Sequence, residues 1–149
     1  MIEIRSALKS DINSIVEFQI NMAEETENVI LHEDVILPGV EAVFNDHHKG
    51  HYFIAEYEGD IAGSLLTTYE WSDWRNGTIF WIQSVYVKNE YRGKGIFKAM
   101  YKHIQQKVET NPDLYKGIRL YVDKTNVAAQ KVYSAVGMNG EHYQLFETM

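Results

Sequence analysis

The chain of 149 residues contains no cysteine, only two prolines and no long apolar run. Without cysteine it cannot form disulfides, bind zinc through thiolates or attack a substrate with a thiol. No apolar stretch approaches the roughly 20 residues that a membrane-spanning helix needs, and the N-terminus lacks the apolar block of a signal peptide. We therefore expect one soluble domain over residues 1–149, located in the cytoplasm and with no membrane partner.

Basic residues are scarce outside one short window of the sequence. Residues 1–87 hold 15 acidic and 4 basic side chains, whereas residues 88–107 hold 1 acidic and 6 basic ones. This asymmetry predicts a small anionic ligand near the basic window and argues against a nucleic acid, which would require a broad basic face. The alternative structural explanation is a solvated, lysine-rich helix face.

The periodicity of apolar residues predicts ten elements in the order β-α-α-β-β-β-α-β-α-β. The second helix is expected over about residues 38–46, with Pro38 in its first turn, and HYQLFE is expected to form a closing strand. Asn76 and Gly77 favour a tight hairpin, because both residues tolerate a positive φ. This order predicts a mixed sheet, in which an antiparallel meander is followed by a βαβ crossover.

The segment YVKNEYRGKGIF, residues 86–97, joins an apolar strand to a helix through a basic, glycine-rich turn. Free backbone N–H groups at the start of a helix form an anion site. Gly93 and Gly95 allow close approach of the anion, while Arg92 and Lys94 add positive charge. The sequence therefore predicts a diphosphate site at this turn.

Two familiar phosphate motifs are absent from this turn. The pattern G-x-x-x-x-G-K-[ST] does not occur in the chain, and the third glycine of G-x-G-x-x-G is replaced by Lys98. What remains, SVYVKNEYRGKGIF, resembles motif A of the GNAT superfamily of N-acetyltransferases, Q/R-x-x-G-x-G/A, with Glu90 in place of the Gln or Arg. Downstream, RLYVDKTNVAAQKVYSAVGM resembles motif B of the same superfamily.

The resemblance covers nearly the whole chain and implies the GNAT fold of the α/β (α+β) class. That fold has a mixed central sheet of six to seven strands, about four flanking helices and a splayed cleft between the central strands. It also implies acetyl-CoA as co-substrate, with no metal. By position, the residues expected to bind coenzyme A are Val85, Tyr86, Val87, Arg92, Gly93, Lys94, Gly95, Ile96, Phe97, Lys98 and Asn126. Asn126 is equally well explained as a plain helix cap.

The implied reaction is direct attack of a primary amine on a thioester. Tyr133 occupies the position of the motif B tyrosine and is expected to protonate the leaving thiolate, although a core aromatic on an amphipathic helix is the alternative. The main-chain N–H of Val85 is expected to bind the oxyanion. The base is left open: Glu70 and Asp73 are candidates for a base or a water relay, and surface solvation explains them as well.

The acidic N-terminal half predicts a small cationic acceptor, such as a polyamine. By the resemblance, the residues expected to bind the acceptor are Glu24, Glu25, Glu27 and Gln83, and solvation at the surface explains the three glutamates as well. Alternatives are acetylation of a protein N-terminus or lysine, a non-catalytic acyl-CoA-binding regulatory module, and a nucleotide-binding protein of another class. The resemblance also implies a homodimer.

Two further features favour plain structural explanations. DHHKGH, residues 46–51, holds three histidines, but Lys49 and Gly50 interrupt the helix that would bring them together, so no metal site is predicted. The tryptophans Trp71, Trp74 and Trp81 either line a pocket or pack across the hairpin.

Overall fold

Five strands and four helices form along the chain in a computed structural model that describes all 149 residues. Their bounds are β1 Ile2–Ser6, α1 Ile12–Glu27, α2 Glu33–Asn45, β2 His51–Tyr57, β3 Asp60–Ser72, β4 Gly77–Val87, α3 Ile96–Thr110, β5 Tyr115–Arg119 and α4 Val127–Ala135. The chain divides into two compact units, Met1–Arg119 and Leu120–Met149, and all five strands belong to the first.

The strands lie in the order β1-β2-β3-β4-β5, and only the β4–β5 pair is parallel. The predicted mixed sheet, with a meander followed by a crossover, is therefore confirmed. Both hairpin turns use left-handed residues, with φ of 86° at Gly59 and 50° at Asn76. Such conformations match the twist of adjacent antiparallel strands.

Helices α1 and α2 cover one face of the sheet, where Ile15, Val40 and Ile54 are fully buried. Helix α3 lies on the other face, and its His103 ring packs 5.3 Å from the ring of Phe53 on β2. The neighbours Phe53 and Ile54 contact opposite faces because successive side chains of a strand point in opposite directions. Burial of each large aliphatic side chain contributes about 1.5–3 kcal/mol.

Strands β4 and β5 part halfway along β4. Their pairing ends at Trp81 and Arg119, whereas β4 continues to Val87. A bulge interrupts the other edge of the same segment: Leu66 pairs with Gln83 and Ser64 with Tyr86, so Ser84 and Val85 face a single residue of β3. The end of β4 therefore has one neighbouring strand and an irregular ladder, which is the splayed cleft that the resemblance predicted.

Two details of the predicted elements are wrong. The sheet has five strands rather than six to seven, because the predicted closing strand HYQLFE joins no ladder. Alternating apolar residues make a strand feasible, but only pairing with a sheet edge forms one. Helix α2 begins at Glu33 rather than near Pro38, which lies inside the helix. Glu33 and Asp34 suit the positive end of the helix dipole, and the His32 carbonyl accepts bonds from Val35 and Ile36.

In the second unit, α4 is capped at both ends, and Asn126 forms the cap that the sequence allowed. The Asn126 side-chain oxygen accepts a hydrogen bond from the Ala129 amide at 3.1 Å. Gly137 follows the helix with a φ of 96°. These two caps fix the ends of the short helix that carries Tyr133.

Candidate cofactor and active site

The basic turn between β4 and α3 has the geometry of an anion site. Gly93 and Gly95 have φ of 78° and 81°, and Gly95 is the N-cap of α3. No heavy atom lies within 4 Å of the position that a Cβ would occupy on either glycine. The glycines are therefore required by the backbone conformation, and the space above them is open to a ligand.

The first turn of α3 supplies the donors of this site. The first intrahelical bond runs from the Ala99 amide to the Gly95 carbonyl at 3.0 Å. The amides of residues 96–98 precede that bond and lie in the first turn of the helix, where N–H groups point toward the turn. With the helix dipole behind them, they suit a diphosphate.

Arg92 points back toward the protein. Its Nε donates to the Val87 carbonyl at 2.9 Å, and its Nη2 donates to the Glu25 carboxylate at 2.7 Å. The guanidinium carbon also lies 5.4 Å from the centre of the Tyr86 ring. These contacts fasten the beginning of the turn to the end of β4 and to α1.

Glu25 is shared between Arg92 and the Tyr86 hydroxyl, which donates to its other oxygen at 3.0 Å. The bond from Arg92, with a smaller contribution from Tyr86, lowers the pKa of Glu25 below its ordinary value. Burial, followed by the neighbouring carboxylate, raises the pKa of Tyr86. Glu25 therefore stays ionised and Tyr86 stays protonated at neutral pH.

The lysines of the turn extend in different directions. The Lys94 ammonium lies 5.3 Å from the centre of the Tyr57 ring, a cation–π distance. Lys98 is exposed on the first turn of α3, with Lys102 one turn further along the same edge. Exposed ammonium groups on one helix edge increase the positive potential around the turn.

The predicted oxyanion donor, Val85, lies at the bulge of β4. Its neighbour Ser84 has a φ of 52°, a left-handed conformation that is rare for a residue other than glycine, asparagine or aspartate. A bulge leaves one residue outside the regular ladder and redirects its peptide groups. Pairing with β5 has already ended at Trp81, so this part of β4 offers main-chain groups to a ligand.

Gln83 precedes the bulge, and its amide donates to the Thr68 hydroxyl at 2.6 Å. The two side chains share the face of the sheet on which Leu66 packs beneath α1 and α2. This half-buried polar pair occupies the sheet surface two residues from Val85.

Glu70 takes part in a second cross-strand network. Its carboxylate accepts hydrogen bonds from Trp81 at 2.7 Å and from Arg119 at 2.8 and 2.9 Å. These donors, Trp81 first, lower the pKa of Glu70. Glu70 lies beside Ile79, six residues before Val85, which corresponds to roughly 20 Å along the strand. Both observations argue against Glu70 as a base at a thioester near Val85.

Asp73 lies in the β3–β4 turn, at the opposite end of β4 from the glycine turn. Its carboxylate accepts a bond from the neighbouring Trp74 amide at 2.9 Å. The eight steps along the strand from Gly77 to Val85 alone span roughly 26 Å. Asp73 therefore acts locally as a turn residue, and Trp74 beside it is almost fully exposed.

Glu24 and Glu27 are exposed in the last turns of α1. Together with Glu25, they place three carboxylates at the negative end of the helix dipole, and no basic residue lies in the last turn. Negative charges at this end of the dipole lower the stability of the helix terminus, and they attract cations. It fits the predicted cationic acceptor.

Tyr133 is half-buried on α4 in the second unit, and this burial raises the pKa of its phenol. A phenol that stays protonated at neutral pH is suited to donating a proton. Asn126 uses its side-chain oxygen for the helix cap.

No group of three or more His, Asp or Glu side chains is arranged to hold a metal ion. In the DHHKGH turn, the His47 and His48 rings stack, and Asp46 accepts bonds from the His48 amide and Lys49.

No helix is both long and apolar enough to cross a membrane.

Sequence reasoning missed three features of this site: the Glu25–Arg92 ion pair, the bulge at Ser84 and the role of Arg119. The ion pair joins residues 67 positions apart, and nothing in the local pattern of either segment indicates it. Nothing in the sequence around Ser84 indicates a bulge. The glycine turn, by contrast, was predictable because its glycines and basic residues lie next to one another in the sequence.

Comparison with known proteins identifies the family of this fold. The sequence profile of the acetyltransferase (GNAT) family matches residues 16–138, which include both the glycine turn and Tyr133. The chain belongs to the GNAT family of acetyltransferases. The predicted resemblance and the predicted fold class are thereby confirmed.

Two solved structures share the fold of this chain. The structure of a possible acetyltransferase from Clostridium difficile 630 is 40% identical, covers 100% of this chain and 97% of its own, and superposes with a TM-score of 0.91. A transcriptional regulator from Bacillus halodurans C-125 is 17% identical with full coverage of both chains and a TM-score of 0.82, which shows the shared fold alone.

A curated relative carries a more specific name. The spermine/spermidine N(1)-acetyltransferase of Bacillus subtilis (strain 168) is 33% identical over 93 residues, covering 57% of this chain. The match spans 58% of that protein's length.

Proposed function

We propose that this protein transfers the acetyl group of acetyl-CoA to a primary amine of a small cationic acceptor, such as a polyamine. The observation that carries the proposal is the open glycine turn at the start of α3, directly after the bulged end of β4. The partial likeness to a spermine/spermidine acetyltransferase supports the polyamine class.

The turn is assigned to the diphosphate of coenzyme A. Its fit rests on the open space above Gly93 and Gly95, on the first-turn amides of α3 and on the exposed Lys98. Beside the turn, residues 85–87 are assigned to the pantetheine arm through their main-chain groups. Asn126 is assigned mainly to the cap that it forms, so its contribution to pantetheine binding is expected to be small.

The reaction needs an oxyanion donor and a proton donor. The main-chain N–H of Val85 is assigned to the oxyanion that develops when the amine attacks the thioester carbonyl. As the carbon–sulfur bond breaks, the Tyr133 phenol donates its proton to the leaving thiolate, and solvent returns a proton to the phenolate.

The attacking amine must first lose a proton, because an alkylammonium group has a pKa near 10. Glu70 and Asp73 are poorly placed for this task, for the reasons of distance and hydrogen bonding given above. We assign the transfer to water. The carboxylates of Glu24 and Glu27 attract the cationic acceptor, and Gln83 is assigned to the acceptor side of the sheet.

A thermal-shift comparison tests the cofactor assignment. Saturating coenzyme A at about one hundred times its dissociation constant stabilises a folded protein by about 2.7 kcal/mol, which corresponds to several degrees in Tm. We expect such a shift with coenzyme A and none with ATP or NAD. Stabilisation by ATP or NAD alone would overturn the proposal in favour of a nucleotide-binding protein.

An amine panel tests the acceptor class. Release of free thiol from acetyl-CoA is measured with spermine, spermidine, amino acids, an aminoglycoside and peptides with free N-termini or lysines. We expect the fastest release with polyamines. Preference for a peptide would move the acceptor to a protein, and coenzyme A binding without any thiol release would indicate a non-catalytic binding module.

A further inference from the structure

We propose that Glu25 is a positioning residue for the coenzyme A turn and not an acceptor ligand like Glu24 and Glu27. In this role it holds Tyr86 and Arg92, the last part of β4 and the first residue of the glycine turn, against the end of α1. The inference rests on the proposed function, since it concerns the cofactor site assigned there.

Both carboxylate oxygens of Glu25 are occupied by this network. One accepts from the Arg92 guanidinium at 2.7 Å and the other from the Tyr86 hydroxyl at 3.0 Å. A carboxylate that binds one partner through each oxygen is fixed in orientation. Because Arg92 already pairs with this charge, a cationic acceptor is attracted to Glu25 less strongly than to an unpaired carboxylate.

Packing around the Tyr86 ring supports the same role. The Tyr86 ring lies 5.3 Å from the ring of Phe18 on α1. The guanidinium carbon of Arg92 lies 5.4 Å from the centre of the same Tyr86 ring. Phe18 is 1% exposed, so this anchor belongs to the core. The network therefore connects a rigid part of α1 with the turn.

The hydrogen bonds of Arg92 determine which donors of the turn remain available to a diphosphate. Nε is used by the Val87 carbonyl and Nη2 by Glu25, while Nη1 lies 3.5 Å from Asn89. The guanidinium thus faces the protein. The diphosphate is left to the amides that follow Gly95 and to the lysines, and Arg92 acts on it indirectly by holding the turn in place.

The first test removes the network from the α1 side. We expect Glu25→Ala to weaken coenzyme A binding, measured by isothermal titration calorimetry, by roughly fivefold, the range of one partly exposed ion pair. Glu17→Ala is the matched control, because Glu17 is an exposed glutamate of the same helix outside the network. It is expected to leave coenzyme A affinity unchanged.

The same variant separates positioning from acceptor binding. If Glu25 were an acceptor ligand, Glu25→Ala would raise the KM for the amine and leave coenzyme A affinity at the wild-type value. That result overturns the inference. A Tm within a degree or two of the wild type shows that the change in affinity does not come from unfolding.

A charge exchange tests whether Arg92 acts through Glu25 or directly on the phosphate. Glu25→Arg and Arg92→Glu are each expected to weaken coenzyme A binding about tenfold or more, because each puts two like charges together. The double variant restores an ion pair, and we expect it to bind more tightly than either single variant. If the double variant binds no better than Arg92→Glu alone, Arg92 contacts the diphosphate and the inference is wrong.

The binding assay also separates this inference from the proposed function. Failure of the wild-type protein to bind coenzyme A would contradict the proposed function itself. Wild-type binding that is insensitive to Glu25→Ala and to the charge exchange would contradict only the role of Glu25.

Discussion

Two glutamates on neighbouring elements are held by the same kinds of donor but serve different parts of the molecule. Glu25 accepts from Tyr86 and Arg92, and Glu70 accepts from Trp81 and Arg119. In both groups an aromatic residue of β4 and an arginine share one carboxylate. Both carboxylates have lowered pKa values for that reason.

The difference lies in what each group connects. Glu70, Trp81 and Arg119 belong to three adjacent strands, and they meet where β4 and β5 are still paired. Glu25 belongs to a helix, and its partners lie beyond the point at which those strands part. The first group therefore strengthens the sheet, and the second substitutes for a missing strand by joining the end of β4 to α1.

The largest expected effect concerns a property that the two groups share: neither glutamate can donate a proton at neutral pH. If proton donation therefore falls to Tyr133, Tyr133→Phe lowers kcat roughly 100-fold, the lower range for loss of a general acid. Coenzyme A affinity is expected to stay near the wild-type value, because the phenol acts on the departing sulfur. Steady-state kinetics and calorimetry measure the two quantities.

Glu70→Gln at neutral pH provides the comparison for that experiment. A loss of turnover as large as that of Tyr133→Phe, at unchanged Tm, would give Glu70 a chemical role and break the comparison.

The next effect separates the two groups by stability. Glu70→Gln removes the charge that Arg119 and Trp81 bond, and we expect it to lower the free energy of unfolding by about 1 kcal/mol, or about 3 °C in Tm. Coenzyme A affinity should not change, in contrast to Glu25→Ala. Chemical denaturation and calorimetry of the two variants side by side measure this difference.

The pH dependence of Glu70→Gln follows from the sign of the shift. The folded pKa of Glu70 is below its ordinary value of 4.5, so its contribution is present above about pH 4.5 and is lost as the pH falls through the folded pKa. The stability difference between wild type and variant should therefore shrink below pH 4.5. A difference that is constant with pH would mean that the carboxylate charge is not what stabilises the network.

The smallest effect concerns Glu27, which lies near Glu25 in sequence but outside its network. Glu27→Gln removes a negative charge from the negative end of α1, so we expect stability to rise by about 0.3–1 kcal/mol. The KM for a polyamine should rise about twofold to fivefold, since one attracting charge is lost. Coenzyme A affinity is expected to stay the same. A variant that is more stable with an unchanged KM would remove Glu27 from the acceptor site.

The parts of the site that follow from local backbone chemistry were predictable from sequence. Gly93 and Gly95 indicated a turn open to an anion, and Asn126 indicated the start of α4, because both depend on residues within a few positions. The hairpin at Asn76 was predictable for the same reason.

The parts that depend on tertiary pairing were not predictable. Glu70 and Asp73 looked alike in sequence, yet one is bonded across three strands and the other lies in a turn. Glu25 looked like its neighbours Glu24 and Glu27, and only the fold brings Arg92 to it. The start of α2 was predicted too late in the sequence, because a proline is typical of a first turn, whereas Pro38 lies inside this helix.

The bulge at Ser84 has a further consequence, because it shifts the phase of β4 by one residue. Before the bulge, Trp81 and Gln83 point to the face that α1 and α2 cover, and regular alternation would place Tyr86 on the opposite face. The extra residue brings Tyr86 to the α1 side instead, within reach of Glu25. A strand that lacked Ser84 would still contain Tyr86 and Arg92, but Tyr86 would point away from α1 and its hydrogen bond to Glu25 would be lost. The position of the glycine turn thus depends on the number of residues in β4 as much as on their identity.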